Sequence, residues 1–136
     1  MYTLEGKVRW ASVLNPNTKF EPVYTVDLEI NDDRVESWLN EKGFKVRTWD
    51  DGQRYFKIKR KVTTRAGKPA EPPKVIGEDG LPFEDLIGNG SVCEVGFDGF
   101  EWSSAFGAGT AAYLQEVIVK EHVPFASRVS VLDSLD

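Results

Sequence analysis

The sequence predicts an all-β domain carrying one short helix, a small antiparallel barrel or sandwich. Three observations lead there. Several stretches alternate apolar and polar residues with a period of two, only one stretch shows helical spacing, and the segments between are rich in glycine and proline. With 136 residues, 40% of them apolar and 12% aromatic, the chain can build one core, and one domain is expected over residues 1–126, followed by a short C-terminal tail at 127–136.

The elements follow in order. LEGKVRWASV sets Leu4, Val8 and Trp10 against Glu5, Lys7 and Arg9 and reads as a first strand. VYTVDLEI, residues 23 to 30, places Tyr24, Val26, Leu28 and Ile30 on one side and Thr25, Asp27 and Glu29 on the other, as a half-buried strand requires. In NDDRVESWLNEKG, Asn31 or Asp32 is the N-cap, Val35, Trp38 and Leu39 form the apolar stripe of a helix, and Gly43 lies past its end. FKVRTWDDGQRYFKIKRKV is a hairpin around Asp50-Asp51-Gly52, with Arg47 opposite Tyr55, Val46 opposite Phe56, Lys45 opposite Lys57 and Phe44 opposite Ile58. A slip of one residue would mix its two faces.

Beyond it, TTRAGKPAEPPK and EDGLPFEDLIGNGS read as connections, the second anchored around Leu86 and Ile87. SVCEVGF is a strand, FDGFEW a tight reversal through Asp98-Gly99, SSAFGAGTAA a small-residue loop, and YLQEVIVKEHVPF a final long strand. Five or six strands with long loops and one helix favour the five-stranded Greek-key oligonucleotide-binding barrel, the OB-fold.

Composition narrows the function. No apolar stretch approaches the roughly 20 residues that span a bilayer, and the N-terminus lacks the apolar run of a signal peptide, so a cytoplasmic protein is expected. A single cysteine and a single histidine build neither a disulfide framework nor a cysteine-histidine zinc site within one chain. Cys93, flanked by alternating apolar residues, reads as a small buried hydrophobe. His122 has no nucleophile motif near it, and the glycine pairs GNGS and GAGT lack the residues of a phosphate-binding loop. The acid pairs Asp32-Asp33, Asp50-Asp51 and Glu84-Asp85 sit where caps and turns want them. No enzyme, no metal and no cofactor are expected.

The net charge of -5 is unevenly spread. Residues 44 to 74 hold ten lysines and arginines against three acids, a local charge of +7 on an otherwise acidic body. Lysines on an exposed strand also guard against edge-to-edge aggregation, so the cations alone point to nothing further. Their coincidence with Trp49 and Tyr55 on the outward side of the hairpin does, because single-strand binders combine cations that track phosphates with rings that stack bases. The expected single-stranded DNA site comprises Lys45, Arg47, Trp49, Tyr55, Lys57, Lys59, Lys61 and Arg65, with Arg9 and Lys7 of the first strand extending the patch. Trp38 belongs to the buried stripe of the helix. Trp10 and Trp102 fit either the core, where tryptophan is usually found, or a stacking platform within the same site.

LIGNGSVCEVGFDGFEWSSAFGAGTAAYLQEVIVKEHVPF resembles the end of the single-stranded DNA-binding domain of lytic short-tailed bacteriophage replication proteins. The resemblance rests on Ile87-Gly88-Asn89-Gly90-Ser91, on Phe100-Glu101-Trp102, on a Gly-Ala turn at Gly107-Ala108 and on Leu114-Gln115, Val117 and Val119, in that order. Phe56-Lys57-Ile58-Lys59 matches that family's alternating aromatic and lysine strand. The resemblance implies an OB-fold that coats single strands during phage replication and recombination in the host cytoplasm, without cofactor or catalysis. It also implies partnership with the phage polymerase or helicase through a long acidic tail with a terminal aromatic, and a homodimer formed by exchange of that tail. This chain departs there, since RVSVLDSLD holds two aspartates and no terminal aromatic. A structural barrel of a phage particle, without nucleic-acid binding, and a metal-dependent DNA-processing nuclease are the rival classes.

Overall fold

The computed structural model describes residues 1–19, 22–64 and 66–124. Seven strands and one helix run in the order β1 (Tyr2–Asn17), β2 (Val23–Glu29), α1 (Asp33–Glu41), β3 (Arg47–Thr48), β4 (Arg54–Lys61), β5 (Lys74–Gly77), β6 (Val92–Ser104) and β7 (Gly107–Glu121). Five of them close a circle. β1 pairs antiparallel with β2, β2 with β4, β1 with β6 and β6 with β7, and a parallel bridge between Lys59 and Tyr113 joins β4 to β7. Counted in chain order, the barrel strands stand 1-2-3-5-4 around the circle, the Greek-key arrangement of an OB-fold. β3 lies outside the closed circle against the start of β4, and β5 runs parallel to β7.

β1 serves two neighbours. Tyr2 to Lys7 pair with β6 and Val8 to Asn17 with β2, and the strand bends between them at irregularities after Arg9 and Ser12. Val8, Val26, Leu28, Ile58, Val95, Phe97, Leu114 and Val117 fill the interior. Phe97 lies at its centre, with ring centroids 5.3 Å from Phe56 and 5.6 Å from Phe44. α1 begins as expected, with the Asp32 side chain accepting the Arg34 N–H at 2.9 Å, and ends at Gly43 in the left-handed region (φ 87°). It lays Leu39 into the core and Trp38 against Tyr2 and Phe44.

Several expectations need correction. The β3–β4 hairpin has the expected register, Arg47 opposite Tyr55, and a glycine with positive φ at Gly52, but its ladder is two residues long. Phe44, Lys45 and Val46 do not pair with β4. The Phe44 N–H donates instead to Leu39 O at 2.9 Å, and its ring reaches across to Phe56 and Phe97, which pulls this segment out of the ladder. β4 takes β2 as its long partner, from Val23 opposite Lys61 to Glu29 opposite Tyr55. β5 lies between the two stretches read as connections, taking Lys74 from the first and three residues, 75–77, that carried no assignment, and the stretch read as an anchor around Leu86 and Ile87 buries Ile87 alone of the two.

No reversal occurs at Asp98-Gly99. β6 continues through it to Ser104, turns at Ala105-Phe106, and returns as β7 from Gly107, so the small-residue loop is strand on both sides of that two-residue turn, and Gly107-Ala108 is strand rather than turn. Gly99 is there for closeness rather than turning: a Cβ would meet the Phe44 ring at 2.8 Å. Asp98 accepts from Gln115 Nε2 at 2.6 Å across the ladder. β2 is covered on both sides rather than half-buried, with Thr25 and Asp27 6% and 3% exposed. Residues 125–136, which include the expected tail at 127–136, lie outside the described residues.

Candidate nucleic-acid interface

The outward positions of β2 and β4 are set opposite each other by register, Thr25 with Lys59, Asp27 with Lys57 and Glu29 with Tyr55. β3 adds Arg47 beside Tyr55 on one flank, and β1 adds Arg9 beside Asp27 on the other. Arg9, Arg47, Tyr55, Lys57 and Lys59 therefore share one wall of the barrel, and Trp49, just past β3, joins them. The hairpin's alternation does this work, since Phe56 and Ile58 point inward and leave their neighbours outside.

The rings on this wall touch each other. Trp49 stacks on Tyr55 with centroids 4.2 Å apart and planes 7° from parallel, and the Arg9 guanidinium lies 4.3 Å from the Trp49 centroid. Trp49 thus has Arg9 on it as well as Tyr55, and both rings are half-buried rather than fully exposed. Arg9 is held at its edge, donating to Asp51 Oδ2 at 3.0 Å and to Glu29 Oε1 at 3.4 Å. The Asp51 carboxyl is held below its usual range first by the Gln53 N–H and then by Arg9.

Carboxylates cancel part of the lysine row. Lys57 Nζ lies 2.8 Å from Asp27 Oδ1. Lys45, Arg47 and Lys59 are exposed and make no ion pair among the described residues. Lys61 is exposed at the end of β4, and Arg65 lies outside the described residues. Arg60, on the inward side of β4, folds over Tyr113 at 4.7 Å and donates to Leu114 O.

Asp27 is unusual in being a buried carboxylate. Burial pushes its pKa up, and the opposing pull of Lys57, Arg47 and the Trp49 indole is too weak to restore it. A raised folded-state pKa means that the fold favours the protonated form. Its contribution to stability is fully present below the unfolded value, about 4, and is lost as pH rises through the folded one. Asp27→Asn is expected to melt at pH 7 no lower than the parent, with any advantage shrinking as pH falls toward about 4. Lys57, its side chain 34% exposed, can rehydrate. Thermal unfolding across that pH range checks this, and a marked loss of stability at pH 7 contradicts it.

Two further tryptophans are exposed. Trp10 is not core: it is 61% exposed, with a left-handed backbone (φ 53°) at the irregularity in β1. That conformation costs an L-residue with a bulky side chain roughly 1–2 kcal/mol, and the Asn89 side chain steadies it by accepting the Trp10 N–H at 2.9 Å. Trp102 is not core either, 46% exposed on the two-stranded arm that β6 and β7 extend past Gly99. Its indole lies across Gly109, where a Cβ would approach it to 3.2 Å. Thr110 roots the arm on the end of α1, its N–H donating to Gly43 O at 3.0 Å and its Oγ1 to Lys42 O at 2.6 Å. The same arm exposes Phe100 and, at its tip, Phe106. Sequence reasoning missed both, although the alternation Phe100-Glu101-Trp102 carried the signal.

Elsewhere, Cys93 is buried and its thiol is pushed up to about 12 by desolvation. His122 Nε2 lies 3.0 Å from Leu86 O, and its ring packs edge-on against Phe83. Among the described residues no group of three or more His, Cys, Asp or Glu side chains could hold a metal ion, and no helix is long and apolar enough to cross a membrane.

No protein-family model and no curated protein sequence matches the chain. Solved structures do. gp2.5, a single-stranded DNA-binding protein encoded by bacteriophage T7, superposes with a TM-score of 0.64 at 20% identity, over 99% of this chain and 93% of that one. The single-stranded DNA-binding protein from bacteriophage Enc34 gives 0.63 at 16% identity, over 98% and 90%. The same Enc34 protein in complex with single-stranded DNA gives 0.63 at 13% identity, over 91% and 89%. At these identities the likeness is one of architecture, and the chain has the OB-fold of phage single-stranded DNA-binding proteins over nearly its whole length.

Proposed function

We propose that this protein binds single-stranded DNA with little regard to sequence and coats exposed strands during phage replication and recombination in the host cytoplasm, without catalysing a reaction. The observation that carries the proposal is the meeting, on the β2–β4 wall, of cations without ion pairs among the described residues (Arg47, Lys59) with the stacked rings of Trp49 and Tyr55. In OB-folds that wall and the adjoining hairpin loops take oligonucleotides, and the Enc34 relative is known in complex with single-stranded DNA.

In this reading Lys45, Arg47, Lys57, Lys59, Lys61 and Arg65 track phosphates. Tyr55, Trp10 and Trp102 offer ring faces, and Phe100 and Phe106 extend that surface along the arm. Each stacked base contributes roughly 1–3 kcal/mol whatever its identity. Trp49 acts as the underlay that holds Tyr55 and Arg9 in place. Partnership with the phage polymerase or helicase, and a homodimer, are further parts of the proposal that rest on the family resemblance alone.

Titration with poly(dT), followed by tryptophan fluorescence at two salt concentrations, tests it. Quenching at low salt is expected, with log affinity falling by about 0.7 per phosphate for each decade of salt. Absence of quenching at low salt, or binding indifferent to salt, rules the proposal out.

A further inference from the structure

Arg9 already satisfies, inside the protein, the two demands a nucleotide would make on it. Its plane rests on the Trp49 ring, and its edge donates to two carboxylates, Asp51 and Glu29. A planar fork held on a ring and aimed at paired oxygens is the arrangement that also grips a phosphate. The two carboxylates differ in how easily they can leave. Glu29 has a side chain 10% exposed and sits within β2; Asp51 is 53% exposed and sits at the tip of the β3–β4 hairpin, 42 positions from Arg9 along the chain. Next to it, Gly52 has nothing within 4 Å of where a Cβ would stand, so the tip faces open solvent.

We infer that Asp51 is an affinity-setting residue: in the free protein it occupies the place on Arg9 that a DNA phosphate takes, and strand binding proceeds by exchanging one for the other. The inference rests on the DNA-binding reading above. Glu29 and Trp49 keep Arg9 oriented throughout, so the exchange needs only the exposed Asp51 side chain to swing away. An exposed pair of this kind holds the fold together only weakly, and its position, tying β1 to the turn beside Trp49, suits competition better than reinforcement.

Asp51→Asn tests this, because the amide oxygen can still accept the Gln53 N–H that shapes the turn at 2.9 Å. Asp50→Asn is the control: it removes the same charge from the same turn, and Asp50 makes no ion pair among the described residues. With poly(dT) at about 50 mM salt, Asp51→Asn is expected to bind roughly twofold to fivefold more tightly than Asp50→Asn. Its salt dependence should match that control's, because Arg9 contacts one phosphate in both. Equal affinity for the two variants, or weaker binding by Asp51→Asn, overturns the inference while leaving the DNA-binding reading intact. If the parent protein and both variants all fail to bind, the DNA-binding reading falls and the competitor role with it.

Discussion

Replacing Arg47 and Lys59 together by glutamine is expected to lower affinity for poly(dT) on the order of 50-fold at about 50 mM salt and to flatten the salt dependence by about 1.4, the loss of two phosphate contacts. These are the residues to change because neither makes an ion pair in the described protein and both stand exposed on the β2–β4 wall. Glutamine keeps the aliphatic stem and removes the charge, so the barrel should melt where the parent does. Lys120→Gln removes the same kind of charge from β7, where the lysine is paired with Glu94 at 3.8 Å, and should leave the salt slope unchanged. A double variant that binds with the parent's slope would mean that the strand runs elsewhere on the protein.

The largest effect on stability is expected at Phe97. Its side chain is fully buried, and it gathers Tyr2, Phe44 and Phe56 around it. Removing a buried phenyl ring costs the transfer of its atoms and leaves a cavity that a closed barrel cannot collapse, about 3–5 kcal/mol in total. Against an overall stability of roughly 5–15 kcal/mol, Phe97→Ala should lower the melting temperature by about 10–15 °C, read by circular dichroism. Phe106→Ala makes the same chemical change at the arm's tip, where the ring is fully exposed, and should shift stability by no more than about 0.5 kcal/mol.

Sequence patterning reveals those features of the molecule that depend on local rules. The Asp32 cap, the stripe with Leu39, the Gly43 end of the helix and the Gly52 turn all follow from side chains acting on their own backbone. Alternation likewise identifies the inward side of β4, because Phe56 and Ile58 could not face water together. What alternation cannot show is which second neighbour a strand acquires. β4 meets β2 along seven positions and β3 along two, a choice made by the ring of Phe44 packing on residues 12 and 53 positions further along the chain.

Glycine misled for a related reason. Gly99 and Gly109 look like turn residues, yet they sit inside strands because Phe44 and Trp102 occupy the space of a side chain there. The same long-range packing altered the candidate site. Asp27 occupies a polar position of an alternating strand and reads as exposed, but β1 and β4 on either side bury it. Trp49 and Tyr55 read as exposed rings on the outward side of the hairpin, whereas folding stacks one on the other and brings Arg9, 40 positions away, onto Trp49.

The central claim is that the wall bearing Tyr55, with Trp10 and Trp102 beside or beyond it, is where a single strand lies. Photo-crosslinking of oligo(dT) to the protein, followed by mapping of the modified peptides, tests that claim most directly. Crosslinks to peptides carrying Tyr55, Trp10 and Trp102 are the result expected; crosslinks confined to Tyr2, Trp38 or Phe83 would contradict it.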